Sequence, residues 1–545
     1  NQNQKVTVIQ EPPYVTTWYR QYSNKYQPIL ILGFDKDSVM VGIMPLAFSL
    51  KDHYLTHAGD GQAEYHGWLC KKDVDQEFLI QALIAVKHNF QIRKWQWRPI
   101  PPRSQIKWLS SRDLKEEKVY PRIAEEDSPV LDLRDEDKIN KIRKNRSIQN
   151  KLNRYKKKNN FYIERIKSKE KAKEIFDILS NQCDFRQMAI HQTAPFAQDG
   201  NKKQFYIERL NFPENNHFTI LWSNNNPLAF HFGACDSDTV YLGLSSYNPT
   251  EEKNSPGSIL IIKLIEFLKE EGYRYFDLTP GGDKYKEKYC SFHQKIYIPT
   301  IYFFKKDKII ADLKYFIRKT VKKGIISAGA EPDFLKNKLD NVLFKLKKKL
   351  KLTPLKIIRK LISIIYERKI YVLHKFLIGD ISLKNLNSDE NISINNYSDL
   401  LLYNNSNPYI EKKSNLFSIA LRHFSSEDLL YTIVSDGVLT QYGWMTKGGK
   451  SYRITDVDMD FDSPENSFIL YDFFTEPNFS KQELFTKTLE KMLVDCKKNG
   501  AKEVFIGVNE NEISSGRIIE KMGFKVYCKF QRTKYFWIVR KKVYS

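Results

Sequence analysis

The stretch from His217 to Tyr289 limits the fold more than any other. HFTILWS, LAFHFGACD and TVYLGLSSYN are rich in β-branched and aromatic residues and are separated by NNNP and DSD turns, so they read as three strands. NSPGSILIIKLIEFLKEEG then reads as a glycine-containing turn feeding an amphipathic helix. YRYFD follows as a short strand, and LTPGGDKYKEKY as a second glycine turn. Strands followed by turn, helix, strand and turn predict an α/β (α+β) unit with a mixed, mostly antiparallel twisted sheet flanked by helices.

The same order returns in the last segment and, faintly, in the first. LLYTIVSDGVLTQYGWM predicts a hairpin around Asp436-Gly437. SFILYDFFTE predicts a strand, KQELFTKTLEKMLVDCKKNG a helix stopped at Gly500, EVFIGVN a strand, ISSGRIIEKMG a helix, and the C-terminal residues a hairpin. Near the start, QPILILGFD and VMVGIMPLAFSL read as strands around Asp35–Ser38, and YLTHAGDGQAEYHGWL as a strand entering a polar loop. IRKNRSIQNKLNRYKKKN reads as one basic helix with Arg143, Arg146, Asn150 and Arg154 near one face. The boundaries expected are 1–135, 136–305, a basic helical linker at 306–365, and 366–545. A polar loop is expected from Leu383.

The 545 residues fit two to four domains, and the net charge of +23 favours anionic partners. From Lys305 to Lys360 there are 18 Lys and Arg against 5 Asp and Glu, more than half of that net charge. Such a linker reads as a spacer with a solvated face, or as a surface for anionic lipid. The six cysteines (Cys70, Cys183, Cys235, Cys290, Cys496, Cys528) form no CxxC pair and show no zinc-type histidine spacing. They are expected to be reduced, buried thiols, with no metal. NQNQKVTVIQEPP has no signal-peptide layout, and no apolar run is long enough to cross a bilayer. The expected location is cytoplasmic, peripheral to the inner membrane face if the linker meets lipid.

A helix start leaves N–H groups unpaired, its dipole favours an anion, and glycine admits close backbone approach. The turn Ser255-Pro256-Gly257-Ser258 is therefore a candidate phosphate site, although the same letters also suit an ordinary helix cap.

The order of elements resembles the GNAT superfamily of acyl-CoA-dependent acyltransferases. Residues from about Pro12 to Phe304 more closely resemble the cellulose-biosynthesis acetyltransferase (CelD-like) family, related in fold to the Fem-type aminoacyltransferases. The blocks that carry this are TTWYRQY, QPILILGFDKDSVMVGIMPL, GDGQAEYHGWL, IRKNRSIQNKLNRYKKK and YNPTEEKNSPGSILIIKLIEFLKEEGYRYFDLTPGGDKYKEKY. The resemblance implies two GNAT-like halves with acetyl-CoA or another acyl-CoA on the second. It places Asn248, Ser255, Pro256, Gly257 and Ser258 at the CoA pyrophosphate turn, and Asp277, Tyr285 and Lys286 in the closing motif. The last segment is also similar to a GNAT domain. There Ser480-Lys481-Gln482-Glu483 replaces the glycine-rich loop and Ile519 replaces a tyrosine, so this copy is expected to be degenerate, a binding or dimerisation module.

N-acylation from a thioester needs a base for the amine, donors for the developing oxyanion, and an acid for the thiolate. The catalytic candidates are Glu64, His231, Asp277 and Tyr285. Candidates for holding substrate are Asp60, Gln62, His66 and Lys286. Each has a plainer reading as a turn, cap or sheet residue. The function expected is N-acyl transfer to an amino-sugar, nucleotide-sugar or cell-envelope precursor by direct attack. The alternatives are a Fem-type transferase using charged tRNA, and a non-catalytic scaffold.

Overall fold

The computed structural model describes residues 7–157, 160–281, 283–327, 366–380, 391–403, 413–479, 483–536 and 538–544. Most of the linker at 306–365, the start of the loop at Leu383, and Ser480, Lys481 and Gln482 lie outside the described residues. The protein is a mixed α/β chain in two compact units, Asn1–Asp184 with Thr193–Ser327, and Phe185–Gln192 with Ala328–Ser545.

The helices beginning in the first unit are α1 (Pro12–Tyr22), α2 (Asp75–Asn89), α3 (Arg112–Glu116), α4 (Glu136–Arg143), α5 (Arg146–Lys156), α6 (Lys169–His191), α7 (Lys202–Arg209), α8 (Pro256–Glu270) and α9 (Lys305–Ser327). β1 (Tyr26–Phe34), β2 (Met40–Ser49), β3 (Leu55–His57) and β4 (Leu69–Cys70) make one sheet. The turn between β1 and β2 is fixed by Asp35, whose Oδ1 accepts the N–H groups of Asp37 (3.0 Å) and Val39 (2.9 Å). β5 (Lys94–Gln96) and β6 (Tyr120–Asp132) join a second sheet with β10 (Thr239–Tyr241), β12 (Tyr275–Asp277) and β13 (Phe292–Tyr302), in the order β10-β12-β6-β13-β5. Strands from either side of residue 135 therefore share one sheet. The third sheet has the order β11-β9-β8-β7, with β7 at Tyr162–Arg165, β8 at Asn216–Ser223, β9 at Asn226–Ala234 and β11 at Leu244–Tyr247.

Two expectations need correction. TVYLGLSSYN is not one strand. Its first part, β10, pairs in parallel with β12, and its second part, β11, pairs antiparallel with β9. The chain changes sheets across Leu242 and Gly243, and glycines permit this. A Cβ on Gly233 would lie 1.9 Å from the Tyr241 carbonyl oxygen, and one on Gly243 2.5 Å from that of Phe232. The basic helix is also two helices. Asn145 caps α5 by accepting the Ile148 N–H (3.3 Å), so Arg143 falls on α4 and pairs with Glu266 of α8 (3.5 Å) instead of joining the Arg146 face.

Apolar clusters fill both sides of these sheets. Trp68, Trp95, Trp97 and Trp108 pack beside α2, while Leu260 and Ile259 of α8 pack on Leu152 and Tyr155 of α5. Fully burying one such side chain contributes roughly 1.5–3 kcal/mol.

The second unit holds the sheet β15-β16-β17-β20-β21-β14-β22-β23. Its strands are β14 (Tyr366–Leu377), β15 (Ile392–Ile394), β16 (Leu429–Ser435), β17 (Val438–Lys447), β20 (Ser467–Thr475), β21 (Glu503–Asn509), β22 (Lys525–Tyr535) and β23 (Ile538–Tyr544), with a separate hairpin of β18 (Ser451–Ile454) and β19 (Met459–Asp462). Asp436 and Gly437 both take positive φ, 52° and 72°, as the expected tight hairpin requires. β20 and β21 run in parallel only from Ser467 to Leu470 and from Glu503 to Ile506. The helix Leu484–Lys498 connects them, as α8 connects β11 and β12.

The strand switch gives a direct prediction. Gly233→Ala should destabilise the first unit by about 2 kcal/mol or more, since backbone must move to relieve the clash. Urea unfolding would measure this, and unchanged stability would contradict the close approach.

Candidate active site

The parting of β11 from β12 begins at a strained turn. Thr279, a β-branched residue, takes φ 60°. Three contacts hold it there. The Asp277 carboxylate accepts the Thr279 N–H (2.8 Å). The Thr279 hydroxyl donates to the Leu242 carbonyl (3.0 Å). The buried Lys286 ammonium donates to the carbonyls of Thr279 (3.1 Å) and Pro280 (3.2 Å). Asp277 also accepts the Tyr65 hydroxyl (2.9 Å), while the Ser128 hydroxyl approaches at 3.5 Å. Burial pushes the Asp277 carboxyl up to about 6, opposed by these hydrogen bonds and by Lys286.

Beyond this turn lies a cleft of about 830 Å³. Thr279, Pro280 and Gly281 form one wall, Gly243 and Leu244 another, and the loop Asp60–Glu64 with His66 a third. Glu64 lies against the strand switch: a Cβ on Gly243 would come within 3.1 Å of its Oε1. Burial raises the Glu64 carboxyl, as does the negative charge of Asp277, while Arg209 and Arg98 oppose the rise. Asp60 accepts hydroxyls from Tyr26 (2.9 Å), Tyr54 (3.1 Å) and Thr56 (2.9 Å). Gln62 accepts the Trp18 indole N–H (3.0 Å) and donates to Asp199 (3.3 Å). The sequence-derived candidates Asp60, Gln62, Glu64 and His66 thus share one cleft.

The other candidates differ. His66 lines the cleft, but its Nδ1 accepts the Arg98 N–H (3.0 Å) and its Nε2 faces the Asp60 carbonyl (3.3 Å). Burial, then Arg98, lowers it to about 3, so it is a neutral brace for the loop. His231 is fully buried, with Nε2 on the Tyr241 carbonyl (3.2 Å). Burial lowers it to about 3 as well, which removes it as a base reaching solvent or substrate. Tyr285 is 39% exposed and is not among the residues lining the cleft. Lys286 was expected to hold substrate. Its ammonium is instead committed to the turn carbonyls and to Asp283 (3.3 Å).

The turn before α8 is tight. Ser255 is left-handed at φ 54° and ψ 53°, Pro256 has no N–H, and the Ser258 and Ile259 N–H groups turn back to the Ser255 carbonyl (3.1 and 3.2 Å). Gly257 is the second residue of α8, where an N–H has no acceptor within the helix. The Gly257 side is close-packed too, since a Cβ there would meet the Tyr247 ring at 3.2 Å. Asn248 is occupied locally, accepting from the Thr250 N–H (3.1 Å) and hydroxyl (2.8 Å).

Sequence reasoning missed two residues here. Lys151 of α5 donates to the Ser255 hydroxyl (2.7 Å), placing a cation at the turn. Arg209 of α7 lies buried over the rings of Tyr14 and Phe232, each at 5.0 Å, and biases Glu64 from there. Their partners are far away in sequence, so no local pattern marks them.

Residues 142–287 match the family model of the acetyltransferase (GNAT) domain. The match takes in α5, the strand switch, α8 and β12. No curated protein matches the sequence at a significant level. Among solved structures the chain is similar to the C-terminal domain of a protein assigned as a lysylphosphatidylglycerol synthetase from Agrobacterium fabrum, at 12% identity and TM-score 0.36, covering 56% of this chain and 95% of that one. It is also similar to FemX (11%, TM-score 0.30, covering 55% and 97%) and to a tandem GNAT protein from the clavulanic acid biosynthesis pathway (10%, TM-score 0.23, covering 69% and 99%). Overlays this loose carry no argument about chemistry. Among the described residues no helix is long and apolar enough to cross a membrane.

Asp277 makes stability depend on pH. Its pKa is near 3.8 unfolded and about 6 folded, so the folded state binds the proton more tightly. This contribution is fully present below about pH 4 and is lost as pH rises through about 6. Relative to Asp277→Asn, the unmodified protein should lose on the order of 3 kcal/mol across that window. Urea titrations from pH 4 to 7 would show it, and a pH-independent difference would refute the burial argument.

Proposed function

We propose that the first unit is an acyl-CoA-dependent N-acyltransferase acting by direct attack in a ternary complex. The observation that carries this reading is the cleft at the parting of β11 and β12, with Glu64 in its wall. An amine acceptor arrives as an ammonium, and Asp60, Glu64 and Glu126 of the cleft suit it. Glu64, raised by burial, takes the proton; a base with a pKa nearer neutrality transfers it more effectively. Asp277 holds the wall and does not face the acceptor. β11 is the edge of its sheet, and its main-chain N–H groups on the open side suit the developing oxyanion. The acyl-CoA pyrophosphate lies at Ser255–Ser258, with the helix start and Lys151 supplying positive potential.

The finer assignment rests on sequence. The likeness to the CelD-like family supports an amino-sugar, nucleotide-sugar or cell-envelope precursor as acceptor. The second unit is read as a non-catalytic module, because Glu483, in the left-handed position before its helix, sets a negative charge where Ser255 stands in the first.

Calorimetric titration of acetyl-CoA into the full chain should show saturable binding that Gly257→Trp abolishes. Lys151→Met should weaken it about tenfold, as loss of one charge-assisted hydrogen bond does. Glu64→Gln should keep binding yet lower thiol release with amine acceptors about 100-fold. Absence of binding to any form would sink the reading and turn attention to charged tRNA as donor.

A further inference from the structure

We infer that Glu287, Cys290 and His293 form a binding site for a zinc-like divalent cation, on the turn that leads from Lys286 into β13. No metal is expected from the cysteine positions, which show neither a CxxC pair nor the histidine spacing of common zinc sites. The pattern present is Glu-x-x-Cys-x-x-His, and the fold folds it onto one point.

The donor atoms are already clustered. His293 Nε2 lies 3.0 and 3.2 Å from the two Glu287 carboxylate oxygens. Cys290 Sγ lies 3.6 Å from Glu287 Oε2 and 3.9 Å from His293 Nε2. A tetrahedral zinc ion holds sulfur at about 2.3 Å and nitrogen or oxygen at about 2.0–2.2 Å, which sets ligand-to-ligand edges of roughly 3.3–3.6 Å. Shifts of a few tenths of an ångström would complete the geometry. One thiolate, one imidazole and one carboxylate suit zinc better than magnesium or calcium, which take oxygen ligands. The side chains of Glu287 and His293 are 55% and 41% exposed, so a fourth position faces solvent and can take water.

The backbone presents these groups in a fixed way. The Cys290 N–H donates to the Lys286 carbonyl (3.1 Å) and the Ser291 N–H to the Val130 carbonyl (2.8 Å). His293 is then in register with Pro129 on β6. A bound cation would take Cys290 as the thiolate and displace its proton. The ion would also pin the segment carrying Lys286, whose ammonium braces the Thr279–Pro280 turn of the cleft. None of this depends on the acyl-transfer reading.

The test is titration of the chelator-stripped full chain with Zn²⁺ against a chromogenic chelator, and with Co²⁺ by absorption. One equivalent should bind, and Co²⁺ should give a thiolate charge-transfer band. Cys290→Ser and His293→Ala should each weaken Zn²⁺ by more than the about 10–100-fold that outer-shell changes cost. The buried Cys528→Ser serves as control and should bind as the unmodified protein does. His293 is exposed enough that its loss leaves the fold intact, which circular dichroism would verify. Less than one equivalent bound, equal affinity in His293→Ala, or a cobalt band that survives in Cys290→Ser would each overturn the site.

Discussion

The Asp277 carboxylate ties the first unit together. It takes a hydrogen bond from Tyr65 in the N-terminal loop and a longer contact from Ser128 on β6, and it caps the left-handed Thr279 that ends β12. These are separate parts of the chain, joined at one buried group. A buried carboxylate is costly to desolvate, and its cost is offset only where several donors converge. One of these donors, Thr279, lines the cleft, and Tyr65 stands between the lining residues Glu64 and His66. The geometry of the loop Asp60–His66 and that of the turn Thr279–Gly281 are therefore not independent.

Much of this was legible in the sequence because it is local. Alternating apolar residues, turn chemistry at Asp35 and Asp436-Gly437, and the proline-glycine helix start all act over a few residues. The loop GDGQAEYHGW stands out through its resemblance to a polar loop of the CelD-like family, while its residues alone read equally as a surface turn. What escaped was long-range. Nothing near Gly233 says that the Tyr241 carbonyl will press against it, so one strand was read where there are two. Asn145 interrupts a helical pattern by a cap that periodicity alone does not register. Lys286 sits in an exposed-looking lysine-rich run, yet the fold buries its ammonium under a turn. His231 reads more readily as a hydrogen-bonded sheet histidine than as a base, and it is buried with Nε2 on the Tyr241 carbonyl.

The two units use one backbone device with different charge. Each connecting helix begins after a left-handed residue, Ser255 at φ 54° and Glu483 at φ 55°. The second lies between β20 and β21, which pair in parallel over four residues, while α8 joins β11 to β12, which belong to different sheets. Shape at this position is thus shared while electrostatics is not. A hydroxyl bridged to Lys151 favours an anion at the helix start, and a carboxylate disfavours one. Similar folds can in this way diverge in what they hold by altering one side chain at the entrance of a helix.

The contact between Gly233 and the Tyr241 carbonyl has a further implication for how such a cleft can vary. Gly243, the other glycine of the switch, lines the cleft, and a Cβ there would lie 2.5 Å from the Phe232 carbonyl oxygen, so that part of the wall is set by main chain. A change in the size or polarity of the cleft must then come from the facing loop, which carries Asp60, Gln62 and Glu64. In evolutionary terms the strand switch is a hard stop and the loop a tunable jaw.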